Sequence, residues 1–273
     1  MNFPDFPILM TASVDTRGMK TAMYTAQERE TMYVETIRYY VDLFNRRGIR
    51  ETLVFAENSG YNQRRILDRV GDTGIVTIEY HDLGTEGFRQ EMGKGRNELL
   101  LIDRTVDTSE AIRKAGRFFK VTGRFAIRNV DKLMEEAYYR GGQEQMQYYC
   151  DVTDHRLYEW LHIKGPDGHR GECRYYACST DFYRRYLYGK YKYLGDVDNI
   201  YVGTLLLSLA RHVKGKPNVT CRFRTQAYIT GLSGHNKGRG SAFFHSRDEN
   251  DWAHKVKRDI RQVLRWIVTG WWI

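Results

Sequence analysis

Three short apolar runs, each closed by small or polar residues, alternate with stretches of helical periodicity in the first 80 residues. No other feature restricts the fold as much. Run 6–13 reads as a first strand, run 51–56, closed by Glu57-Asn-Ser-Gly60, as a second, and run 74–80 as a third. Between the first two, Tyr33, Ile37, Tyr40, Val41 and Phe44 recur at helical spacing up to Gly48, and a shorter helix is expected around Ile66 to Val70. Strand-helix alternation of this kind implies an α/β fold with a parallel sheet. Ligands of such a sheet bind just beyond the carboxyl ends of its strands. Thr11, closing the first strand, and the loop 14–18 after it therefore stand where a ligand is expected.

The next stretches carry cations to that same edge. Gly93-Lys-Gly-Arg-Asn-Glu98 opens a helix expected to run through Ile112. Glycines at a helix start, with Lys94 and Arg96 among them, suit an anion, although the spacing is neither a Walker A nor a dinucleotide fingerprint. Run 118–121 then reads as a strand ending in Lys120-Val-Thr-Gly-Arg124. Two cations and the Thr122 hydroxyl at a strand end fit a phosphorylated ligand. Both Lys120 and Arg124 are expected at the strand end and outside the core.

Later elements include strands at 145–150, 174–178 and 219–228, a helix capped by Ser179 and an apolar helix at 200–209. Asp151 and Asp154 follow a strand end, and His235 follows the Gly231-Leu-Ser-Gly234 turn. Carboxylates there can bridge a diphosphate through Mn²⁺ or Mg²⁺, so Asp151, Asp154 and His235 are the candidate metal ligands. Their spacing is Asp-x-x-Asp, not Asp-x-Asp. Gly231-Leu-Ser-Gly234 is not a nucleophile elbow, because His235 breaks the frame.

At 273 residues, with 43 Lys and Arg against 34 Asp and Glu, the chain can bury a full core and carries a net charge of +9. That excess favours polyanions, whether nucleotide phosphates, nucleic acid or an anionic membrane. Tyrosines interleaved with Arg and Lys across 138–193 suit base stacking, but half-buried strands and helices account for them more simply. The four cysteines show no metal spacing and are expected as buried free thiols. No signal sequence and no run near the ~20 apolar residues of a spanning helix is found, so a cytoplasmic location is expected. Residues 1–245 read as one domain and 246–273 as a basic, Trp-bearing helix. On that helix Trp252, Val256, Ile260, Val263 and Ile267 share a face, which either packs on the domain or lies on an anionic membrane.

The motifs also carry a family resemblance. Glu57-Asn-Ser-Gly60, Lys94-Gly-Arg-Asn-Glu98, Lys120-Val-Thr-Gly-Arg124 and Gly231-Leu-Ser-Gly234, in that order, make the chain resemble GT-A-like glycosyltransferases of capsule, O-antigen and viral glycan assembly. The resemblance implies a Rossmann-like, mostly parallel sheet flanked by helices. It implies a nucleotide-diphosphate sugar held by Thr11, Glu57, Asn58, Gly60, Lys94, Arg96, Lys120, Thr122 and Arg124. Asp151 would stand where such enzymes place a metal-binding carboxylate for Mn²⁺ or Mg²⁺. The acceptor would be a glycan or glycolipid, in polysaccharide biosynthesis at or near a membrane surface. Inverting transfer needs a general base near the acceptor hydroxyl, and Asp196 or Asp198 ahead of the 200–209 helix is nominated. The rival reading is a nucleic-acid-binding or nucleotidyl-processing protein; with the resemblance in hand, nucleic acid is not the expected partner.

Overall fold

Strand β1 (Ile8–Ala12) is buried along its whole length, which happens only where a strand has neighbours on both edges and cover on both faces. The computed structural model describes residues 5–16, 24–154, 169–195, 201–231 and 252–267. After β1 come α1 (Ala26–Arg47), β2 (Thr52–Glu57), α2 (Gln63–Val70) and β3 (Thr77–Asp82). Helices α3 (Lys94–Thr108) and α4 (Glu110–Ala115) lead into β4 (Arg117–Thr122), β5 (Ala126–Ile127), α5 (Val130–Arg140) and β6 (Tyr148–Tyr149). Strands β7 (Val152–Asp154), β8 (His169–Gly171) and β9 (Tyr175–Ser179) precede α6 (Thr180–Tyr186) and α7 (Val202–Val213). Last come β10 (Val219–Thr220), β11 (Ile229–Thr230) and α8 (Trp252–Ile267).

Among the described residues, seven strands form one sheet in the order β10-β6-β9-β4-β1-β2-β3. All are parallel except β9, which runs antiparallel to both β4 and β6. The expected α/β architecture, a mostly parallel sheet flanked by helices, is therefore what the chain builds. Period-two alternation divides the core between two faces. Ile8, Met10, Phe119 and Val121 pack with α1 and α5, whereas Leu9, Val54 and Phe118 pack with α3, α6 and α7. Helix α1 begins with a capping box between Thr25 and Glu28 and ends at Gly48 in the left-handed conformation, φ 65°. The parallel strands β1, β2, β4, β6 and β10 all present their carboxyl ends at one edge of the sheet.

Two elements differ from the sequence expectation. The helix expected from 94 through 112 is two helices, because Ser109 adopts an extended backbone and caps α4, accepting from the Ile112 N–H at 3.2 Å. The strand expected at 219–228 pairs only at 219–220. Beyond it side chains replace a strand partner: Glu136 accepts from the N–H groups of Arg224 and Thr225 at 2.5 and 2.7 Å. Asn129 bonds the Gln226 carbonyl and the Tyr228 N–H, both at 2.9 Å. Backbone polar groups of a covered segment need such partners. The four cysteines are free, three of them buried. Tyr148, Tyr149, Tyr175, Tyr176 and Tyr183 are packed inside, so much of the tyrosine density belongs to the core.

Glu51, at the opposite edge, is buried and accepts from the Phe6 and Thr52 N–H groups at 3.1 and 3.3 Å. Burial raises its pKa from 4.5 to about 8. The folded chain therefore keeps a proton over a pH range in which the unfolded chain has released it, so stability falls as pH rises from about 4.5 to about 8. The slope from this one group is at most about 1.4 kcal/mol per pH unit. Urea unfolding at several pH values should show that decline, and Glu51→Gln should flatten it.

Candidate functional site

At the carboxyl edge of the sheet, Lys120 and Glu98 form the central ion pair. Alternation along β4 turns Lys120 toward α3, on the side of Phe118, where it is 1% exposed. Its ammonium meets Glu98 Oε1 at 2.6 Å, Thr122 Oγ1 at 3.0 Å and the Cys173 carbonyl at 2.5 Å. Thr11 and Thr122 donate to the same Glu98 oxygen at 2.7 and 3.1 Å. One carboxylate oxygen thus gathers β1, β4 and α3. Burial works to raise the Glu98 pKa, but Lys120 and the two threonine hydroxyls outweigh it and hold the carboxyl below its ordinary value. Lys120 was expected outside the core; the structure corrects this, placing it inside and paired with Glu98, as a cation on a strand covered on both faces has to be.

The loops after β1 and β2 are latched to each other. Glu57 is fully buried and accepts from the Val14 N–H at 2.9 Å, the Ser59 N–H at 2.8 Å and the Tyr61 N–H at 3.2 Å, and from the Ser59 hydroxyl. Asn58 accepts from the Ser13 hydroxyl, and Ser59 from the Asp15 N–H at 2.9 Å. Gly60 sits at φ 66°, which favours glycine. The Glu57-Asn-Ser-Gly60 signature therefore shapes the edge through its loop. Gly123 has a similar reason to be glycine: a Cβ there would lie 2.9 Å from the Thr11 carbonyl and 3.3 Å from the Tyr33 ring.

Arg124 differs from Lys120. It makes no ion pair among the described residues, and its Nε is buried without a hydrogen-bond partner. The guanidinium lies over the Phe125 ring, 5.0 Å from its centroid. Burial, with Arg29 close by, draws its pKa below the ordinary value. Arg29 bonds the Ser13 carbonyl at 2.7 Å and the Tyr33 hydroxyl at 3.1 Å. Lys94 opens α3, which has no side-chain cap at its first turn, and Arg96 stacks over Tyr191 at 5.3 Å. A Cβ on Gly95 would meet Val202 at 2.7 Å, so the start of α7 lies against the start of α3.

The two aspartates proposed as metal ligands are held separately. Asp151 is buried between Arg265 of α8 at 2.8 Å and the Tyr175 hydroxyl at 2.9 Å. Burial alone would lower the Arg265 pKa, yet the Asp151 charge holds it above the ordinary value. Asp154 accepts from Arg211 at 2.9 Å and lies 2.7 Å from His169 Nδ1. Among the described residues, no group of three or more His, Cys, Asp or Glu side chains can hold a metal ion. The described donor set therefore does not fit the expected Mn²⁺ or Mg²⁺, since each carboxylate is already neutralised by an arginine. Asp196, Asp198 and His235 lie outside the described residues. Glu98, quoted in the motif without a role, is the central residue that sequence reasoning passed over.

No family model matches the chain, and no characterised protein matches it in sequence. Among solved structures it is similar to HddC from Yersinia pseudotuberculosis, at 13% identity over 83% of this chain and 93% of that one, TM-score 0.44. It is similar also to mouse xyloside xylosyltransferase 1, at 11% identity over 80% and 85% of the two chains, TM-score 0.41. A third is the galactosyltransferase LgtC with donor and acceptor sugar analogues, at 13% identity over 77% and 70%, TM-score 0.44. Similarity this slight says nothing of the site's chemistry, which rests on the residues above.

The buried pair has a measurable consequence. Lys120→Met strands a carboxylate among threonine hydroxyls and should lower unfolding free energy by about 3 kcal/mol. Adding Glu98→Gln should restore most of it, and a double-mutant cycle by urea unfolding gives the coupling.

Proposed function

We propose that the chain is a glycosyltransferase that takes a nucleotide-diphosphate sugar at the carboxyl edge of β1, β2 and β4 and transfers the sugar to a glycan or lipid-linked acceptor. The observation that supports this most is Arg124, a guanidinium at the end of β4 with a buried, unpartnered N–H and no ion pair among the described residues. As the sugar–phosphate bond breaks, negative charge grows on the leaving diphosphate. A pre-placed guanidinium stabilises it without reorganisation. The first turn of α3, which has no side-chain cap and carries Lys94 and Arg96, offers further N–H groups and positive charge to the same group. Thr11, Thr122, Lys120 and Glu98 then act as the floor that keeps Arg124 in place, and the latched Glu57–Gly60 loop shapes the nucleotide side.

For the acceptor hydroxyl, Asp198 or Asp196 remains the nominated base. The nucleic-acid reading is not favoured, given the burial of so many of the tyrosines that suggested it. The test is nucleotide-diphosphate binding by calorimetry. Arg124→Met should weaken it by about tenfold or more, one lost charge-assisted contact, while the unliganded melting temperature stays level or rises. Equal affinity in wild type and variant overturns the donor assignment.

Helix α8 supports a peripheral membrane position. Its exposed residues include Val256, Ile260, Val263, Trp266 and Ile267, 45–74% accessible and mostly on one stripe. Its polar side faces the protein: Gln262 bonds the Gln226 N–H at 2.9 Å and the Arg224 carbonyl at 2.7 Å, and Arg265 the Phe223 carbonyl at 2.7 Å. No described helix is long and apolar enough to cross a membrane. An outward apolar stripe on a basic chain suits the interface of an anionic bilayer. Ile260→Glu with Val263→Glu should abolish co-sedimentation with phosphatidylglycerol vesicles and spare nucleotide binding. If the wild type stays in the supernatant but runs as a dimer that the double variant splits, the stripe is a protein contact instead.

A further inference from the structure

A second cationic site lies at the far end of the same edge. Past β10 the chain turns through Cys221 and Arg222 and borders a cavity of about 260 Å³, against the ~30 Å³ that one water occupies in the liquid. Arg140 ends α5, Lys214 follows α7, Arg222 and Arg224 follow β10, and Arg265 comes from α8; these five cations line it, and among the described residues no carboxylate does. Among the described residues the neighbouring acids are engaged, Asp151 with Arg265, its charge also reaching Arg222, and Glu136 with the backbone of Arg224 and Thr225.

Arg222 is the decisive residue. It is 7% exposed, and its Nε and Nη1 are buried without a hydrogen-bond partner among the described residues. Burial and the neighbouring Arg265 pull its guanidinium below the ordinary pKa. A buried cation with two unmet donors works against folding. Such a group is stable in place when an anion completes it, and the planar fork of arginine matches a phosphate better than a halide.

We propose that this cavity binds the phosphate or diphosphate group of the acceptor, with Arg222 as its principal contact. The word acceptor rests on the glycosyltransferase reading; the anion site itself does not. The geometry suits the role, because β10 is three strands from β4 along the sheet, roughly 14 Å at ~4.8 Å per strand. Both strands end at the same edge, so a donor near Arg124 and a phosphate near Arg222 stand about three strand spacings apart. Arg265 also links the cavity to α8, whose outer stripe is proposed to meet lipid.

The test uses the full chain and inorganic pyrophosphate, titrated calorimetrically at matched ionic strength. Wild type should bind it, Arg222→Met should lose at least tenfold in affinity, and Arg124→Met should retain it. The unliganded Arg222→Met protein should melt at or above the wild-type temperature, because a buried unmatched charge has gone. Retained affinity in Arg222→Met, or loss in Arg124→Met alone, would place the pyrophosphate at the donor edge and overturn the proposal. A drop of several degrees in unliganded melting with unchanged affinity in Arg222→Gln would show a structural arginine and also overturn it. Displacement by a hexose 1-phosphate marks a soluble acceptor, displacement only by phosphatidate vesicles marks a lipid one, and displacement by neither removes the acceptor role. Nucleotide-diphosphate binding, read separately, should be unchanged in Arg222→Met. If wild type binds no nucleotide diphosphate, the glycosyltransferase reading fails while the pyrophosphate result still decides this site.

Discussion

The ion pair between Lys120 and Glu98 organises the edge on which everything else depends. A lysine with 1% exposure in the central part of a sheet requires a partner, and α3 supplies it. Because Thr11, Thr122 and Lys120 all converge on one oxygen of Glu98, the ends of β1 and β4 and the first turns of α3 are held in a single arrangement. Gly123 can then approach the Thr11 carbonyl, its N–H donating to it at 2.9 Å, and Arg124 is carried past the strand with its guanidinium left unpaired. A charge satisfied inside thus positions a charge left open at the edge.

The same contrast recurs at the other end of the sheet. Asp151 satisfies Arg265, and that pair, with Gln262, fastens α8 by its polar side. Fastening an amphipathic helix this way leaves its apolar stripe facing outward, the reverse of what burial alone would favour. Arg222, next to the pair, makes no ion pair of its own among the described residues, although the Asp151 charge reaches it. Arg124 and Arg222, each with a buried donor unmet among the described residues, therefore stand on one edge, each beside a carboxylate already committed to another cation. Fixed, unpaired guanidinium groups at a sheet edge are suited to anions, and two of them suit a reaction in which both substrates carry phosphate.

Much of the fold was legible in the chain. Alternating strand and helix signals in residues 1–80 led to the parallel sheet, and glycines at 48 and 60 marked turns that the structure makes with positive φ. Ser179 caps its helix as read, accepting from the Phe182 N–H at 3.1 Å. Local signals of this kind depend on a few neighbouring residues, so a sequence carries them intact. Less legible was the break at Ser109 and the short pairing at 219–220, where capping and side-chain partners compete with propensity.

What the sequence determined by itself was the chemistry brought to the edge: cations, hydroxyls and carboxylates at the ends of strands. Only the tertiary structure decided which of them remain available. Lys120 and Arg124 look alike in Lys120-Val-Thr-Gly-Arg124, yet the strand's alternation turns the first onto Glu98 and the backbone turn releases the second. Asp151 and Asp154 look like a pair, yet Arg265, 114 residues later, and Arg211, 57 residues later, take them apart. A charge's availability depends on its nearest opposite charge in space, and spacing along the chain does not contain that distance.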